Sequence, residues 1–184
     1  MSKSPKMVLI EYLVLNSQMG DAKSLNLLVK RWHPKILGQA FRQTHDRDAA
    51  ADVAQESWRS IIKGIYKLKD PALFPAWAYQ IVNRRAADWI RKIQKDRKIQ
   101  SIPKEELNEQ SDEESDKVDI LRRALNGLPV DQQTILNLFY MEKMSVNQIA
   151  KAMEVPSGTI KSRLYYAREH LKKIFKQHDY EKEL

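Results

Sequence analysis

Apolar residues recur along this chain three and four positions apart, the period of a helix with one buried face. Leu25, Leu28, Val29 and Trp32 form one such set after Gly20-Asp21, and a second helix is expected from Pro34 to about Gln43. A third set, Val53, Trp58, Ile61, Ile62 and Ile65, follows the polar stretch His45 to Asp48. A fourth, Phe74, Trp77, Ile81, Val82, Trp89 and Ile90, follows Asp70-Pro71. With five Gly in the whole chain and no alternating β-branched runs, nothing predicts a sheet. The expected class is all-α.

The periodicity changes character toward the C-terminus. Val118 to Leu128 reads as a helix ending near Gly127, and Pro129 opens the next, through Ile135, Leu136, Leu138 and Phe139. Ser145 stands three residues before Gln148, a capping box that starts a short helix carrying Ile149, Ala150 and Met153. Val155 and Pro156 interrupt it, and Pro156 suits the first turn of another helix because its missing N–H costs nothing there. That helix carries Ile160, Leu164, Ala167 and Leu171. Short helix, tight turn and longer helix make a helix-turn-helix, with the small Ala150 where the two helices cross and Ile160 as its packing partner. The turn position at Glu154 often takes Gly, because it can require positive φ.

Charge divides the chain. The 184 residues carry a net charge of +8, which points to a polyanionic partner. Residues 104–119 hold two Lys against eight acids, a local charge of −6, so the remainder carries +14. That acidic strip has almost no apolar residues to bury, and about residues 96–117 are expected to be a flexible linker. It separates a lobe of residues 1–95 from a lobe of residues 118–184. The stretch MVLIEYLVL at residues 7–15 is broken by Glu11 and lacks a cleavage site, so a signal peptide is not expected. Residues 1–15 either pack on the first lobe or make a regulatory contact. No apolar run approaches the roughly 18 residues of a membrane span. Cys is absent, so neither a disulfide framework nor a thiolate metal site exists, in keeping with a reducing cytoplasm.

The second lobe presents one candidate interface and the first lobe two. If Ile160, Leu164, Ala167 and Leu171 face the core, the opposite side of that helix holds Ser157, Lys161, Tyr165, Arg168 and Lys172, with Ser162 and Arg163 at the margins. A basic, hydrogen-bonding stripe of this length fits a major groove. Lys161 reaches toward a guanine edge, and Ser157 and Thr159, flanking Gly158, suit phosphate oxygens at the helix N-terminus. In the first lobe Asp52, Gln55 and Glu56 fall at i, i+3 and i+4 and share one helical face. An acidic and amide patch on a basic protein suits a basic protein partner. The stretch FPAWAYQIVNRRAADWIRK, residues 74–92, interleaves aromatics with Asn83, Arg84, Arg85, Arg91 and Lys92, the chemistry that holds single strands.

In this order, the GD-started helix, the DxxQE patch, AWAYQIVNRRAADWIRK, the acidic linker and LPVDQQTILNLFYMEKMSVNQIAKAMEVPSGTIKSRLYYAREHL together resemble the sigma-70 family of RNA polymerase sigma factors. The two-lobe length resembles its extracytoplasmic-function group, which keeps regions two and four. The resemblance implies that the face of Asp52, Gln55 and Glu56, with Arg59, docks on the coiled coil of the polymerase's largest subunit, the other large subunit contributing elsewhere. It implies that the segment from Tyr66 to Phe74, with Lys67 and Lys69 beside a Pro-stiffened turn, captures a flipped base of the minus-10 element. The helix of residues 77–92 then contacts the opened strand through Asn83, Arg84 and Arg91. Ser157, Gly158, Thr159, Lys161, Ser162, Arg163, Tyr165 and Arg168 read the minus-35 element of promoter DNA. An anti-sigma factor is a further implied partner.

The chain departs from the family pattern at three places. Asn83-Arg84 stands where Arg then Asn is common, Lys161 where Arg is frequent, and Ala49 where an acid is usual. Lys offers a point charge without the planar fork of Arg. The nearest rival reading is a free-standing helix-turn-helix regulator that dimerises through its first lobe and binds an operator. Catalysis is not expected: the four His stand at no metal spacing with carboxylates, no Gly-rich phosphate loop exists, and no metal or other cofactor is implied.

Overall fold

The structure, a computed structural model, describes residues 5–99, 121 and 123–182. The first lobe is built from α1 (Pro5–Gln18), α2 (Ala22–Thr44), α3 (Arg47–Gly64) and α4 (Phe74–Ile99). Two 3-10 turns, Ile65–Lys67 and Pro71–Leu73, join α3 to α4. The second lobe has α5 (Val130–Leu136), a π-helical turn Asn137–Met141, α6 (Val146–Met153) and α7 (Ser157–Lys182). No strand occurs among the described residues.

Local chemistry sets the corners. Asp21 caps α2 by accepting hydrogen bonds from the Lys23 and Ser24 amides, both at 3.1 Å, and from Ser24 Oγ at 2.6 Å. Gly20 precedes it at φ 89°, a left-handed turn that suits glycine. Asp46 caps α3 through the Ala49 amide, and Asp70 caps the second 3-10 turn through Ala72.

Pro34 does not divide two helices, because α2 runs through it. A proline inside a helix removes one ladder bond and crowds the carbonyl four residues back. Here Leu28, Trp32, Ile36 and Ala40 lie four apart on one ridge and are all fully buried, so packing holds the helix on both sides of the proline. Residues 5–18 are helical and bury Met7, Ile10, Leu13 and Val14 in the first lobe. Trp32 centres that lobe, with Phe74 edge-on at 5.1 Å and Tyr79 at 5.7 Å.

In the second lobe the capping box closes as the sequence predicts: the Gln148 amide donates to Ser145 Oγ at 3.2 Å, and the Ser145 amide to Gln148 Oε1 at 2.9 Å. Glu154 ends α6 at φ 55° and ψ 39°. Ile135, Leu138, Met144, Ile149, Ile160, Leu164 and Ala167 are buried between the helices.

One expected boundary moves. The helix expected to stop by residue 95 continues to Ile99. Residues 100–120, with most of the expected linker and the start of the helix expected from Val118, lie outside the described residues. The lobes are in contact, α4 and the Pro71–Leu73 turn lying against α6, and buried apolar residues of both lobes form one cluster.

Candidate nucleic-acid and protein interfaces

The packing of α7 decides its outward face. Ile160, Leu164 and Ala167 are buried at helical spacing, so Gly158, Lys161, Ser162, Tyr165 and Arg168 point to solvent. Ser157 and Thr159 are half-buried in the first turn. A Cβ built on Gly158 meets nothing within 4 Å, which leaves the N-terminus of α7 open to a phosphate.

Four side chains of the predicted stripe are already engaged, among them Lys172, which pairs with Glu169 at 3.8 Å. Arg163 pairs with Asp131 of α5 at 3.0 Å. Ser162 Oγ donates to the Thr159 carbonyl at 3.0 Å. Arg168 Nε donates to Tyr140 Oη at 2.9 Å, and its guanidinium lies 5.5 and 5.6 Å from the Phe139 and Tyr140 rings. Sequence reasoning missed Tyr140, because the partner sits 28 residues away on the π-helical turn and no local pattern marks it. It also passed over Tyr166, which is 64% exposed and stands edge-on to Tyr165 at 5.5 Å. Adjacent tyrosines on an outward face were a signal that could have found it.

On α3, Asp52, Gln55, Glu56 and Arg59 are all exposed, while Val53, Ala54, Ser57 and Trp58 are buried behind them. Glu56 accepts from Arg59 at 2.5 Å. The patch borders a shallow cleft where α3 meets Arg85, Asp88, Trp89 and Lys92 of α4. Arg85 is held to Ser60 Oγ at 2.8 Å, which fixes a cation at the rim of an acidic face.

The residues predicted to meet an opened strand do not share one free surface. Lys67 and Lys69 are exposed beside the Pro71 turn, and Arg91 is exposed but paired with Asp88 at 3.1 Å. Phe74 is a correction: it is fully buried against Trp32 and belongs to the core, because the turn into α4 points its ring inward. Asn83 is half-buried and engaged through both its oxygen and its nitrogen. Its Oδ1 accepts from Gln39 at 2.8 Å and Gln43 at 2.6 Å, and its Nδ2 donates to Thr134 Oγ1 of the second lobe at 3.0 Å. Arg84 is exposed in a cleft between the lobes, with Trp77, Gln80, Asp131, Met153 and Glu154.

Tyr79, beside this cluster, accepts a hydrogen bond from Asn137 Nδ2 at 3.2 Å. Burial pushes its phenol well above the ordinary value, and Glu142 adds in the same direction, so it stays neutral. Among the described residues no group of His, Asp and Glu is placed to hold a metal ion. No described helix is long and apolar enough to cross a membrane.

Comparison with known proteins gives two family matches, one per lobe. The Sigma-70 region 2 model matches residues 28–96 and the Sigma-70 region 4 model matches residues 119–171. The chain is 29% identical over 173 residues to an ECF RNA polymerase sigma-E factor of Haemophilus influenzae, covering 85% of this chain and 90% of that one. It is 30% identical over 128 residues to RNA polymerase sigma factor SigV of Bacillus subtilis, covering 70% and 76%. In fold it is similar to the sigma factor RpoE of Bartonella quintana, solved in complex with the anti-sigma factor NepR. That match has a TM-score of 0.66 at 20% identity and covers 84% of this chain and 98% of that one.

Proposed function

The chain belongs to the sigma-70 family of RNA polymerase sigma factors, in its extracytoplasmic-function group, and from that premise we propose how its two lobes divide promoter recognition. It binds core RNA polymerase through Asp52, Gln55 and Glu56 of α3, with Arg59 alongside. It lays α7 in the major groove of the minus-35 duplex, with Lys161, Tyr165 and Arg168 outward and the N-terminal turn of Ser157, Gly158 and Thr159 on phosphate. Its first lobe holds the opened minus-10 strand, with Lys67 and Lys69 at the turn before α4 and Asn83, Arg84 and Arg91 along that helix. The chain contributes no chemistry of its own.

One observation carries this reading. The molecule exposes an acidic and amide face on one lobe and a basic, aromatic stripe on the other, which supports a protein-docking role for the first and a duplex-reading role for the second. Each lobe is small and reads few bases. Joining them through one chain raises the effective concentration of the second contact once the first is made. An anti-sigma factor is a proposed partner, as one accompanies the solved sigma factor named above.

The test is complex formation with purified bacterial core polymerase, followed by run-off transcription from a candidate promoter. The wild type is expected to co-elute with core, and the double variant Asp52→Lys/Glu56→Lys to lose co-elution while keeping its helical signal. A wild type that ignores core yet binds a palindromic duplex tightly would make the chain a free-standing regulator instead.

A further inference from the structure

Helix α1 lies ahead of the region 2 match, which begins at residue 28, yet it is built into the first lobe. Its Met7, Ile10, Leu13 and Val14 are buried, and both 3-10 turns between α3 and α4 lie against it. Gln18, the last residue of α1, is half-buried and reaches across to those turns. Its Nε2 donates to the Ile65 carbonyl and to the Leu68 carbonyl, both at 2.8 Å, over 47 and 50 positions of sequence. One amide nitrogen carries two hydrogens, so each carbonyl takes one. The two carbonyls follow the end of α3, where no further helical turn supplies donors. The Leu68 amide also donates to the Ile65 carbonyl at 3.1 Å, so the turn is tied both to itself and to α1.

Tyr66, Lys67 and Lys69, beside the tethered residues, are exposed, Tyr66 by 58%. At the far end Asp70 caps Ala72 at 3.1 Å, and Ala72 and Leu73 are buried. The segment is therefore held at both ends, from α1 and from its own cap. We infer that Gln18 is a positioning residue for capture of the minus-10 base: without touching DNA, it fixes the backbone that presents Tyr66, Lys67 and Lys69. The inference rests on the minus-10 reading above. A phenol ring offers a stacking face to any unpaired base, and an ammonium holds a phosphate whatever the sequence. Telling one base from another needs more, a backbone already in place when the base arrives. A segment ordered only on binding spends part of the binding free energy on its own ordering. Gln18 therefore acts on base selectivity rather than on strand affinity at large.

The test uses polymerase assembled from bacterial core and the full chain, offered single-stranded DNA randomised over a short window. Retained strands are sequenced, and total retention is followed across a salt series. The wild type is expected to enrich one base at one position about tenfold or more. Gln18→Met keeps the length of the side chain and removes both donors. It is expected to cut that enrichment to about threefold or less, with total retention at each salt concentration within about twofold of wild type, because the phosphate contacts are untouched. Gln18→Lys restores donors at that place and is expected to enrich the same base within about twofold of the wild type.

A Gln18→Met chain that keeps the wild-type enrichment overturns the inference, as does a Gln18→Lys chain that is no more selective than Gln18→Met. A Gln18→Met chain that loses its far-UV helical signal, or whose enrichment and total retention fall together, also overturns it, since either result makes Gln18 a structural strut. A wild type that enriches no base, on core shown competent with another sigma factor, sinks the minus-10 reading and the inference with it. A selective wild type beside an equally selective variant sinks the inference alone.

Discussion

Glu142 reaches across the boundary between the lobes and places its carboxylate 2.6 and 2.7 Å from Lys35 Nζ, which also lies 4.3 Å from the Trp32 ring centre. The glutamate is buried, while the lysine keeps 24% of its side chain in water. This ion pair links the helix that carries the core of the first lobe to the turn that precedes α6 in the second.

Removing the acid should therefore be felt in the stability of the whole chain. Glu142→Ala leaves Lys35 half-enclosed without a counter-ion, though its water access and the Trp32 face soften the loss. The expected cost is about 1–3 kcal/mol, less than the roughly 3–5 kcal/mol of breaking a fully buried pair. Urea unfolding followed by far-UV circular dichroism measures it. Glu142→Gln, which keeps a hydrogen-bond acceptor, should lose less.

Thr134 Oγ1 is the hub of the seam, donating to the Val130 carbonyl at 2.9 Å while accepting from Gln39 and Asn83. Thr134→Val keeps the shape and removes those bonds. The half-buried Asn83 amide loses its acceptor and the buried Gln39 amide loses one of two, for an expected loss of about 1–2 kcal/mol. Hydrogen exchange should quicken along the facing stretches of α4 and α5. Unchanged exchange there would show that the hydroxyl contributes nothing to holding the lobes.

Arg168 and Tyr140 can be separated by salt. If Arg168 meets a phosphate, Arg168→Ala should lower the slope of log K against log salt for minus-35 duplex by about one when measured with core present. Tyr140→Phe keeps the charge and the ring but removes the oxygen that orients the guanidinium at 2.9 Å. It is expected to weaken binding about three- to tenfold with the slope unchanged. Equal slopes for Arg168→Ala and wild type would place Arg168 off the backbone.

Glu154 closes α6 at φ 55°, a conformation in which a side chain costs energy and glycine does not. Glu154→Gly should raise the stability of the second lobe by about 0.5–1 kcal/mol, read as a higher Tm. A lower Tm would mean that Glu154 makes a contribution through its side chain that outweighs the backbone cost.

Acid should weaken the α1–α2 corner. Ser24 Oγ, then the Lys23 and Ser24 amides, hold the Asp21 carboxyl below its ordinary value. Its folded value is depressed, so its contribution is full above the ordinary carboxylate range and fades as pH falls through the lowered value. The Tm gap between wild type and Asp21→Ala is expected to be widest near neutral pH and to narrow as pH falls below the ordinary carboxylate range. A constant gap would assign the effect to something other than the charged cap.

The comparison of α6 and α7 with α2 locates what local sequence can fix. Ser145, Gln148, Glu154 and Pro156 each act within a turn of their own position, so the capping box, the left-handed stop and the restart at Ser157 were legible in the letters. The outward faces of α3 and α7 were legible for the same reason: a 3.6-residue period states which side is buried without stating against what. Pro34 was misleading because its local cost is outweighed by four fully buried ridge residues whose partners are distant in the chain. Phe74 was placed with the strand-binding residues because its neighbours in sequence are basic, whereas its neighbour in space is Trp32.

The sequence by itself determined an all-α chain with an acidic interruption, a helix-turn-helix, and the outward polar faces of α3 and α7, because caps and periodicity are set by residues a few positions apart. Tertiary structure alone decided that the lobes lie together, that Thr134 sits 51 residues from Asn83 in sequence yet at 3.0 Å in space, and that Glu142 finds Lys35 107 residues away. Such pairings carry no local signal. A polar side chain on a helix reads the same whether it faces water or a distant partner, and only the packing of the lobes chooses between them.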